Sequence, residues 1–531
     1  MTISFEKEVK SRKTFAIISH PDAGKTTLTE KLLYFGGAIR EAGTVKGRKN
    51  SKHALSDWME IEKQRGISVT SSVMEFQYKD YHVNILDTPG HEDFSEDTYR
   101  TLTAADSATM LIDVAKGVEA QTIKLFKVCR MRGIPIFTFI NKLDRQGKEP
   151  FELMEELEAV LGIRSYPMNW PIGMGLNFKA VYDRHNKRLE LYNHKNPSKV
   201  DIIQVNGPLD PVIDETINDD SLVKQFREEI ELLDVAGDQF DLDLINSGQL
   251  TPAFFGSAIS NFGVQTFLNH FLEMAPSPVP RNSNEGVVNP LDSNFSGFVF
   301  KIQANMNPAH RDRIAFLRIT SGIFKKGMNV NHVRLGKPLR LAQPTQFLAQ
   351  SRNNVEEAYA GDIIGLFDPG TFRIGDTLVE NGSFEFDEMP HFSPEHFCAI
   401  AVKDALKHKS FEKGIHQLTE EGAIQLFKTY QKVVEQQIVG VVGVLQFEVL
   451  EHRLKAEYKV DVRLERLPFS YARWVSGDKK DLEAFTRTQR NLVKDRDDRL
   501  VVLFENDYQM RTAQDKYPKI KFFENSFIKQ S

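Results

Sequence analysis

The sequence of 531 residues lacks the features of several large classes of protein. Its two cysteines, Cys129 and Cys398, exclude a disulfide framework and a cysteine zinc site. The most apolar runs, at residues 15–18, 108–115 and 134–140, are far shorter than the ~20 residues that a membrane-spanning helix needs. The N-terminus is charged and has no apolar stretch of the kind found in secretory signals. These absences predict a cytoplasmic protein that makes no contact with a membrane.

The sequence also lacks an excess of positive charge: 68 Lys and Arg stand against 73 Asp and Glu, which gives a formal net charge of −5 at pH 7. A mildly acidic molecule is weakly repelled by nucleic acid, so any RNA contact would have to come from local basic patches. Lys325, Lys326, Arg473 and residues 516–521 are candidates, although scattered basic residues are more often plain solvated surface. We expect a monomer that does not bind DNA.

The first half of the sequence alternates strand-like and helix-like segments, which predicts an α/β domain with a mostly parallel, doubly wound sheet. Short apolar runs predict buried strands at residues 14–18, 83–86, 109–112, 134–140 and 253–255. A helical pattern covers residues 26–33. The stretch from about 161 to 250 interrupts this alternation, and we interpret it as an insertion.

The second half has a different pattern, which begins after a proline-rich linker at residues 275–280. Short strands separated by Gly-Asp and Lys-Gly turns predict a β-barrel domain over residues 281–390. Beyond it, Val444, Phe447, Leu450 and Leu454 follow helical spacing among further strand patterns. This mixture predicts a C-terminal α+β domain over residues 391–531, after a first domain over residues 1–280.

The loop after the first predicted strand has the pattern of a phosphate-binding loop. It consists of Ser19, His20, Pro21, Asp22, Ala23, Gly24, Lys25, Thr26 and Thr27. Gly24 allows backbone N–H groups at the helix start to surround phosphate oxygens, and Lys25 would neutralise charge on the outer phosphates. The Thr26 hydroxyl would ligate Mg²⁺. The alternative is an ordinary strand–helix turn with a surface lysine, and Ser19 departs from the glycine usual at the first position.

A second loop follows the predicted strand at 83–86 and consists of Asp87, Thr88, Pro89, Gly90 and His91. At this position a carboxylate can meet the same Mg²⁺, and Asp87 would act mainly through a water. Gly90 offers a backbone N–H to the terminal phosphate. A lone histidine is usually a surface or capping residue, but the place of His91 directly after this loop suits a side chain that orients the attacking water.

Two further segments predict recognition of guanine. They are Asn141, Lys142, Leu143 and Asp144, after the strand at 134–140, and Ser257 and Ala258, after the last strand. Asp144 can accept hydrogen bonds from the N1–H and 2-amino groups of guanine, whereas adenine would leave the carboxylate unpaired. Lys142 would cover the base and Asn141 would tie this loop to the phosphate loop. Each segment alone is a weak pattern, but the ordered combination favours GTP and GDP over the alternative, a P-loop kinase that uses ATP.

Between the first two loops lies a polar, basic stretch at residues 43–52, followed by Lys63, Gln64, Arg65, Gly66, Ile67 and Ser68. The Ser68 hydroxyl could ligate Mg²⁺ when the terminal phosphate is present, so that the loop would become ordered with GTP and relax after hydrolysis. The alternative is a plain solvated loop. The predicted metal set is therefore Thr26, Ser68 and, through a water, Asp87.

Several segments together resemble the bacterial peptide chain release factor 3 family, a branch of the translational GTPases related to elongation factor G. They are SHPDAGKTT, VKGR, SDWMEIEKQRGISV, LDTPGHEDFSEDTYRTL, GFVFKIQANM, HRDRIAFLR and GVLQFEV. The resemblance implies a GTPase that docks on the ribosome, contacts the sarcin–ricin loop of the large-subunit RNA and ribosomal proteins, and promotes departure of the class I release factors after peptide release. It further implies that His91 is catalytic, with Pro21 and Ile67 as an apolar gate in front of it.

The alternative within this group is a nucleotide-gated ribosome-binding factor related to elongation factor G that acts in ribosome recycling or translocation. Elongation factor G carries further C-terminal domains, and the stretch after the barrel is long enough for one domain of typical size. A translocase is therefore not expected. The motifs contain no obvious arginine finger, so we expect slow intrinsic hydrolysis of GTP that the ribosome stimulates.

Overall fold

The structure is a computed structural model that describes residues 2–39, 69–192, 200–304, 313–341, 344–348, 351–387, 389, 392–430 and 435–524. The first part of the chain alternates strands and helices. Its strands are β1 (Arg12–Ser19), β2 (Ser72–Tyr78), β3 (Tyr81–Asp87), β4 (Ser107–Asp113), β5 (Ile136–Asn141), β6 (Arg164–Pro167), β7 (Asn169–Ile172), β8 (Ala180–Asp183), β9 (Arg188–Tyr192), β10 (Val200–Gln204) and β11 (Leu250–Phe255). Its helices are α1 (Thr2–Lys10), α2 (Lys25–Phe35), α3 (Ser95–Leu102), α4 (Ala120–Met131), α5 (Pro150–Glu156), α6 (Pro211–Ile217), α7 (Asp220–Ala236), α8 (Leu242–Asn246) and α9 (Val264–Met274).

Seven of these strands form one sheet in the order β2-β3-β1-β4-β5-β11-β6. All neighbours are parallel except β2 and β3, which are antiparallel. The register pairs Ile17 with Asp87 and Asp113 with Asn141, so the carboxyl ends of the central strands meet at one edge. The expected mostly parallel α/β sheet is confirmed, and its carboxyl edge is where such sheets carry their ligands.

Alternating residues of β1 show how the two layers of the core arise. Phe15 and Ile17 point to the side covered by α2 and α9, whereas Ala16 and Ile18 point to the side covered by α4. All four are fully buried. Burying a large apolar side chain contributes about 1.5–3 kcal/mol, so the continuous apolar strand stabilises both layers at once.

The segment between β5 and β11 contains a separate small sheet, in which β7 to β10 form an antiparallel meander. Helices α6, α7 and α8 follow it. The expected insertion at about 161–250 nevertheless includes β6, which pairs with β11 at the edge of the main sheet. That strand is four residues long and ends in a proline, so it lacks the apolar run by which the other strands are recognised in the sequence.

The strands after the proline-rich linker form a β-barrel domain, as predicted. They are β12 (Arg281–Ser283), β13 (Gly286–Val288), β14 (Ser296–Ala304), β15 (Arg313–Ser321), β16 (Ile323–Lys325), β17 (Asn329–His332), β18 (Lys337–Arg340), β19 (Pro344–Leu348), β20 (Ser351–Asn354), β21 (Glu357–Tyr359), β22 (Ile363–Phe367) and β23 (Thr377–Val379). The central pairing, β14 with β15 and β15 with β22, is antiparallel. A core of its own, including Val299, Leu317 and Ile364, fills the domain.

The last part is an α+β domain, again as predicted. Its strands are β24 (His396–Val402), β25 (Gln425–Thr429), β26 (Gln437–Val441), β27 (Val462–Leu467), β28 (Tyr471–Ser476), β29 (Leu492–Asp495), β30 (Leu500–Phe504) and β31 (Lys521–Phe523). Its helices are α10 (His408–Glu420), α11 (Leu445–Tyr458), α12 (Lys479–Thr488) and α13 (Asp507–Lys516). Leu418 of α10 and Leu454 of α11 pack in one core with strands β24 and β26. The domain boundaries near residues 280 and 390 stay predictions.

Buried ion pairs join the first domain to the barrel. Arg12 of β1 lies 3.2 Å from Asp362, and Arg318 of β15 lies 2.5 Å from Asp106, which precedes β4. Both pairs lie at the end of the sheet opposite the carboxyl edge, and Lys301 of β14 adds a contact near that edge by donating to the carbonyl of Ser71. Within the described residues, no helix is both long and apolar enough to cross a membrane.

Candidate nucleotide-binding site

A cavity of about 640 Å³ opens at the carboxyl edge of the main sheet. Of the residues predicted to bind nucleotide, it is lined by Ser19, His20, Pro21, Asp22, Gly24, Lys25, Thr26, Thr27, Gly90, His91, Asn141, Lys142 and Asp144. The predicted phosphate, metal and base segments therefore face a common space, although they are far apart in the sequence. A space of this size is typical of small-molecule sites.

Gly24 shapes the loop between β1 and α2. Its φ of 101° lies in the left-handed region that favours glycine, and it forms the N-cap of α2 without a side chain. A Cβ at this position would lie 2.3 Å from Nδ2 of Asn141. The residue is thus required both for the turn and for the close approach of the base loop, and it directs the N-terminus of α2 toward the cavity. Such a terminus favours anions.

Lys25 and Asp87 meet at one end of the cavity. The Lys25 ammonium donates to Oδ1 of Asp87, and both side chains are buried. Oδ2 of Asp87 is buried without a hydrogen-bond partner, which is costly for a carboxylate oxygen in this position. The hydroxyl-bearing residues Thr26 and Thr27 line the adjoining wall. An unpaired carboxylate oxygen beside a lysine and a threonine is a donor set that suits a hard cation and phosphate.

Asn141 connects three loops. Its Nδ2 donates to the carbonyl of Ala23 in the phosphate loop at 2.8 Å, and its Oδ1 accepts from the N–H of Ala258 at 2.8 Å. All three residues are buried. The sequence predicted the first of these contacts, and the second shows that the loop after β11 is fixed by the same side chain.

The base end of the cavity is organised by Lys142 and Asp144. Lys142 has a positive φ of 74°, and its ammonium donates to Asp113 at 2.7 Å and to the carbonyl of Asp22 at 2.6 Å. Oδ1 of Asp144 accepts from the Ser257 hydroxyl at 2.5 Å. Asp144 is thus held by a neutral donor, and its carboxylate keeps the capacity to accept from a ligand.

Several predicted residues lie behind the wall of the cavity instead of lining it. They are Ala23, Asp87, Thr88, Pro89, Leu143, Ser257 and Ala258. Thr88 donates to the carbonyl of Ile17 at 2.7 Å, the carbonyl of Pro89 accepts from Thr98 at 3.2 Å, and the N–H of Leu143 donates to the carbonyl of Gly256. Their contacts hold the loops in place, because a loop residue next to a buried strand is as often a structural support as a contact.

His91 lies at the rim of the cavity beside Gly90, and its side chain is 38% exposed. Its Nδ1 accepts a hydrogen bond from the backbone N–H of Asp93 at 3.2 Å, which caps a short turn at Glu92–Phe94. The imidazole is thereby oriented. The other predicted elements here, the metal ligand Ser68 and the gate residue Ile67, lie outside the described residues.

Six further residues line the cavity that sequence reasoning missed, namely Asp113, Ala115, Lys116, Arg145, Gln146 and Ile259. Asp113 could have been found, because it directly follows the predicted strand at 109–112 and therefore belongs to the same carboxyl edge. The others follow predicted strands or motifs by one to four positions and carry no pattern that separates them from ordinary loop residues.

Comparison with known families divides the chain as the fold does. The Elongation factor Tu GTP binding domain matches residues 10–277, and Elongation factor G domain 2 matches residues 294–381. The domain described as Class II release factor RF3, C-terminal domain, matches residues 386–514. A crystal structure of a protein from Thermus thermophilus has the same fold, with a TM-score of 0.70 at 22% identity over 88% of this chain and 71% of that one.

The fold and the family matches together define a GTPase of the translation-factor class. The chain is 60% identical to peptide chain release factor 3 of Symbiobacterium thermophilum over 98% of each chain. It is 58% identical to the protein of that name in Listeria innocua and 56% identical to that in Staphylococcus aureus, over 98% of this chain and 99% of each relative. The chain belongs to the peptide chain release factor 3 family, the GTPases of translation termination.

Proposed function

We propose that this protein is a ribosome-dependent GTPase of translation termination that promotes dissociation of class I release factors after peptide release, without reading the stop codon itself. The observation that carries the proposal is a single cavity lined by both Lys25, which pairs with Asp87 behind the wall, and the carboxylate of Asp144. Full-length similarity to named release factor 3 proteins supports the place of this GTPase in termination.

Guanine selection would come from Asp144. Its carboxylate lines the cavity and would accept from N1–H and the 2-amino group of the base, with the Ser257 hydroxyl holding it in place. An adenine would leave this group unpaired, at a cost of about 1–3 kcal/mol. The stem of Lys142, fixed at its ammonium by Asp113, would lie along the face of the base.

Mg²⁺ is the cofactor that the phosphate end of the cavity fits. Thr26 would ligate the ion, Asp87 would hold one of its waters through the unpaired Oδ2, and Ser68 would add a hydroxyl when GTP is bound. The ion would neutralise charge on the phosphate oxygens.

Hydrolysis would depend on His91, which lies at the cavity rim and would orient the attacking water. Backbone N–H groups at the start of α2 and Lys25 would stabilise the charge that develops on the phosphate. The arginine among the described lining residues, Arg145, directly follows Asp144 and so lies at the base end. We therefore propose slow intrinsic turnover that contact with the ribosome stimulates.

The remaining features of the proposal concern partners and place. The ribosome would be contacted at the sarcin–ricin loop of the large-subunit RNA and at ribosomal proteins, and class I release factors would be affected indirectly. We propose a cytoplasmic monomer divided into residues 1–280, 281–390 and 391–531. The family match of the C-terminal part to a release factor domain supports termination over translocation.

The test is GTP turnover measured alone, with ribosomes, and with ribosomes that carry a stop codon and a class I factor. We expect ribosomes to stimulate GTP turnover strongly and the class I factor to leave faster. Its departure is measured by the fluorescence of a labelled class I factor. His91→Ala should lower stimulated turnover by about 10²-fold or more while GTP binding is kept, as for loss of a group that acts on the attacking water. Equal turnover with and without ribosomes would refute the proposed role on the ribosome, but it would not contradict the assignment of the cavity as a GTP-binding site.

A further inference from the structure

The segment that follows His91 docks on the C-terminal domain through a carboxylate. Oδ2 of Asp93 accepts a hydrogen bond of 2.6 Å from the backbone N–H of Leu445, the first residue of α11. Asp93 is buried in this contact, at 9% exposure. The N-terminus of a helix carries unpaired N–H groups and a partial positive charge, so a carboxylate there is both a hydrogen-bond partner and a favourable charge.

A second contact of the same kind holds the far end of the segment. The Arg100 guanidinium, on α3, donates to the carbonyl of Gly422 at 2.9 Å and to that of Glu421 at 3.4 Å. These carbonyls lie just beyond the carboxyl end of α10, where a cation is favoured. Between the two contacts, Phe94 packs against Val449 of α11. The segment from 93 to 100 thus places a negative and a positive side chain on helix ends of the matching polarity.

The same Asp93 also holds His91. Its backbone N–H donates to Nδ1 of His91 at 3.2 Å, and the imidazole lies edge-on to the Phe94 ring at 6.2 Å between centroids. Because Nδ1 accepts, the neutral imidazole carries its proton on Nε2, and this second nitrogen is the one left to meet a water. Asp93 therefore both binds the C-terminal domain and sets the orientation of His91.

We propose that Asp93 is a positioning residue for GTP hydrolysis, through which docking of the C-terminal domain fixes His91 at the cavity rim. The inference rests on the proposed role of His91. Displacement of the imidazole by about 1 Å is enough to lower a catalytic rate about 10²-fold. Turnover would then depend on a contact between segments separated by 352 positions in the chain, and nucleotide affinity would not.

The contact can be disturbed from either side. Asp93→Ala removes the acceptor, whereas Asp93→Asn keeps an oxygen that can accept from Leu445. On the other side, a Cβ at Gly443 would lie 2.1 Å from the carboxylate carbon of Asp93, so Gly443→Ala pushes the carboxylate away while the sequence from His91 to Asp93 stays unchanged. Asp404→Ala is a matched control, because that exposed carboxylate accepts from the N–H of Leu406 within the C-terminal domain and lies far from His91 in sequence.

The experiment is ribosome-stimulated GTP turnover by the full-length protein, with kcat and KM determined separately. We expect Asp93→Ala and Gly443→Ala to lower kcat about tenfold or more with KM for GTP unchanged, Asp93→Asn to keep most of kcat, and Asp404→Ala to behave as wild type. A wild-type kcat in Asp93→Ala would overturn the inference, and so would an equal loss in the Asp404→Ala control.

A double-mutant cycle separates positioning from a general loss of domain packing. If Asp93 acts through His91, Asp93→Ala has no further effect on kcat once His91→Ala is present, because the group that it positions is gone. Additive losses would overturn the inference. The single His91→Ala variant distinguishes the two proposals. If it keeps full turnover, the proposed role of His91 is refuted. If it loses turnover while Asp93→Ala is unaffected, only the positioning role of Asp93 is refuted.

Discussion

Asn141 offers a sharp test of how the nucleotide cavity is assembled. Its side chain makes two buried hydrogen bonds, to the carbonyl of Ala23 and from the N–H of Ala258, each 2.8 Å long. Asn141→Ala removes both bonds between buried residues, and each buried group left unpaired costs about 1–3 kcal/mol. The total of about 2–6 kcal/mol divides between the stability of the domain and nucleotide binding, in which each ~1.4 kcal/mol raises Kd tenfold. We expect a Kd for GDP at least tenfold higher, measured with a fluorescent nucleotide.

Asn169 supplies a matched control for this change. It is also fully buried, and it also pairs with one carbonyl and one N–H, both belonging to Phe255, but it does not line the cavity. Asn169→Ala should therefore lower the melting temperature as much as Asn141→Ala does, with a smaller change in Kd. If both variants weaken GDP binding equally, or if Asn141→Ala binds GDP as the wild type does, the interpretation of Asn141 as a link between loops is refuted.

The Asn141→Asp variant extends the test to pH. One oxygen of the new carboxylate can still accept from the N–H of Ala258, but the other faces the carbonyl of Ala23, so that two acceptors oppose each other. Burial also disfavours the charged form of the carboxylate. Its pKa in the folded protein should therefore be raised above the unfolded value. The folded state then holds the proton more tightly, so the stability of this variant should fall as pH rises above the unfolded pKa of about 4. A protonated carboxyl can donate to Ala23, and GDP binding should recover at low pH; a flat profile relative to the wild type would contradict this account.

Three further predictions concern other residues. Asp144→Asn should weaken GTP binding and favour xanthosine triphosphate, because the amide donates where the carboxylate accepts; nucleotide competition measures this, and unchanged GTP affinity would refute the base assignment. Arg318→Met should lower the free energy of unfolding by about 3–5 kcal/mol in urea titrations because it removes the ion-pair partner of buried Asp106, and the double change with Asp106→Leu should cost less. Burial lowers the pKa of Lys13 from 10.5 to about 8, so the folded protein releases this proton first and the free energy of unfolding should rise between pH 8 and 10.5. Lys13→Met should lack that rise, and an identical pH profile in both proteins would contradict it.

Most of the fold could be predicted because its strands are buried on both faces. Continuous apolar runs in β1, β3, β4, β5 and β11 identified the central sheet, and the proline-rich linker marked the change to antiparallel strands. The edge strand β6 was missed for the converse reason. Only one of its neighbours is a strand of the sheet, so its residues need not be apolar, and nothing in the segment distinguishes it from a loop.

The candidate site was predictable to the extent that backbone geometry fixes residue type. Gly24 has to be glycine at a φ of 101°, and the lysine and threonine after it stand at the start of α2 by the same geometry. The sequence did not separate residues that line the cavity from those behind it. Thr88 and Ser257 use their hydroxyls within the protein, and this depends on which carbonyl or carboxylate lies opposite in the folded chain.

The contacts between the domains could not be predicted from the sequence for a different reason, which Asp93 and Arg100 illustrate. An acidic residue near the start of a helix and a basic residue near its end satisfy the charge preference of their own segment, here the turn at Glu92–Phe94 and α3. In the structure both side chains also contact the ends of α11 and α10. Because the local rule and the long-range contact require the same charge at the same position, the sequence pattern cannot distinguish them. A change at Gly443, where a Cβ would collide with the Asp93 side chain, alters the long-range contact and leaves the local charge pattern as it is, and so reveals which of the two stabilises the segment that carries His91.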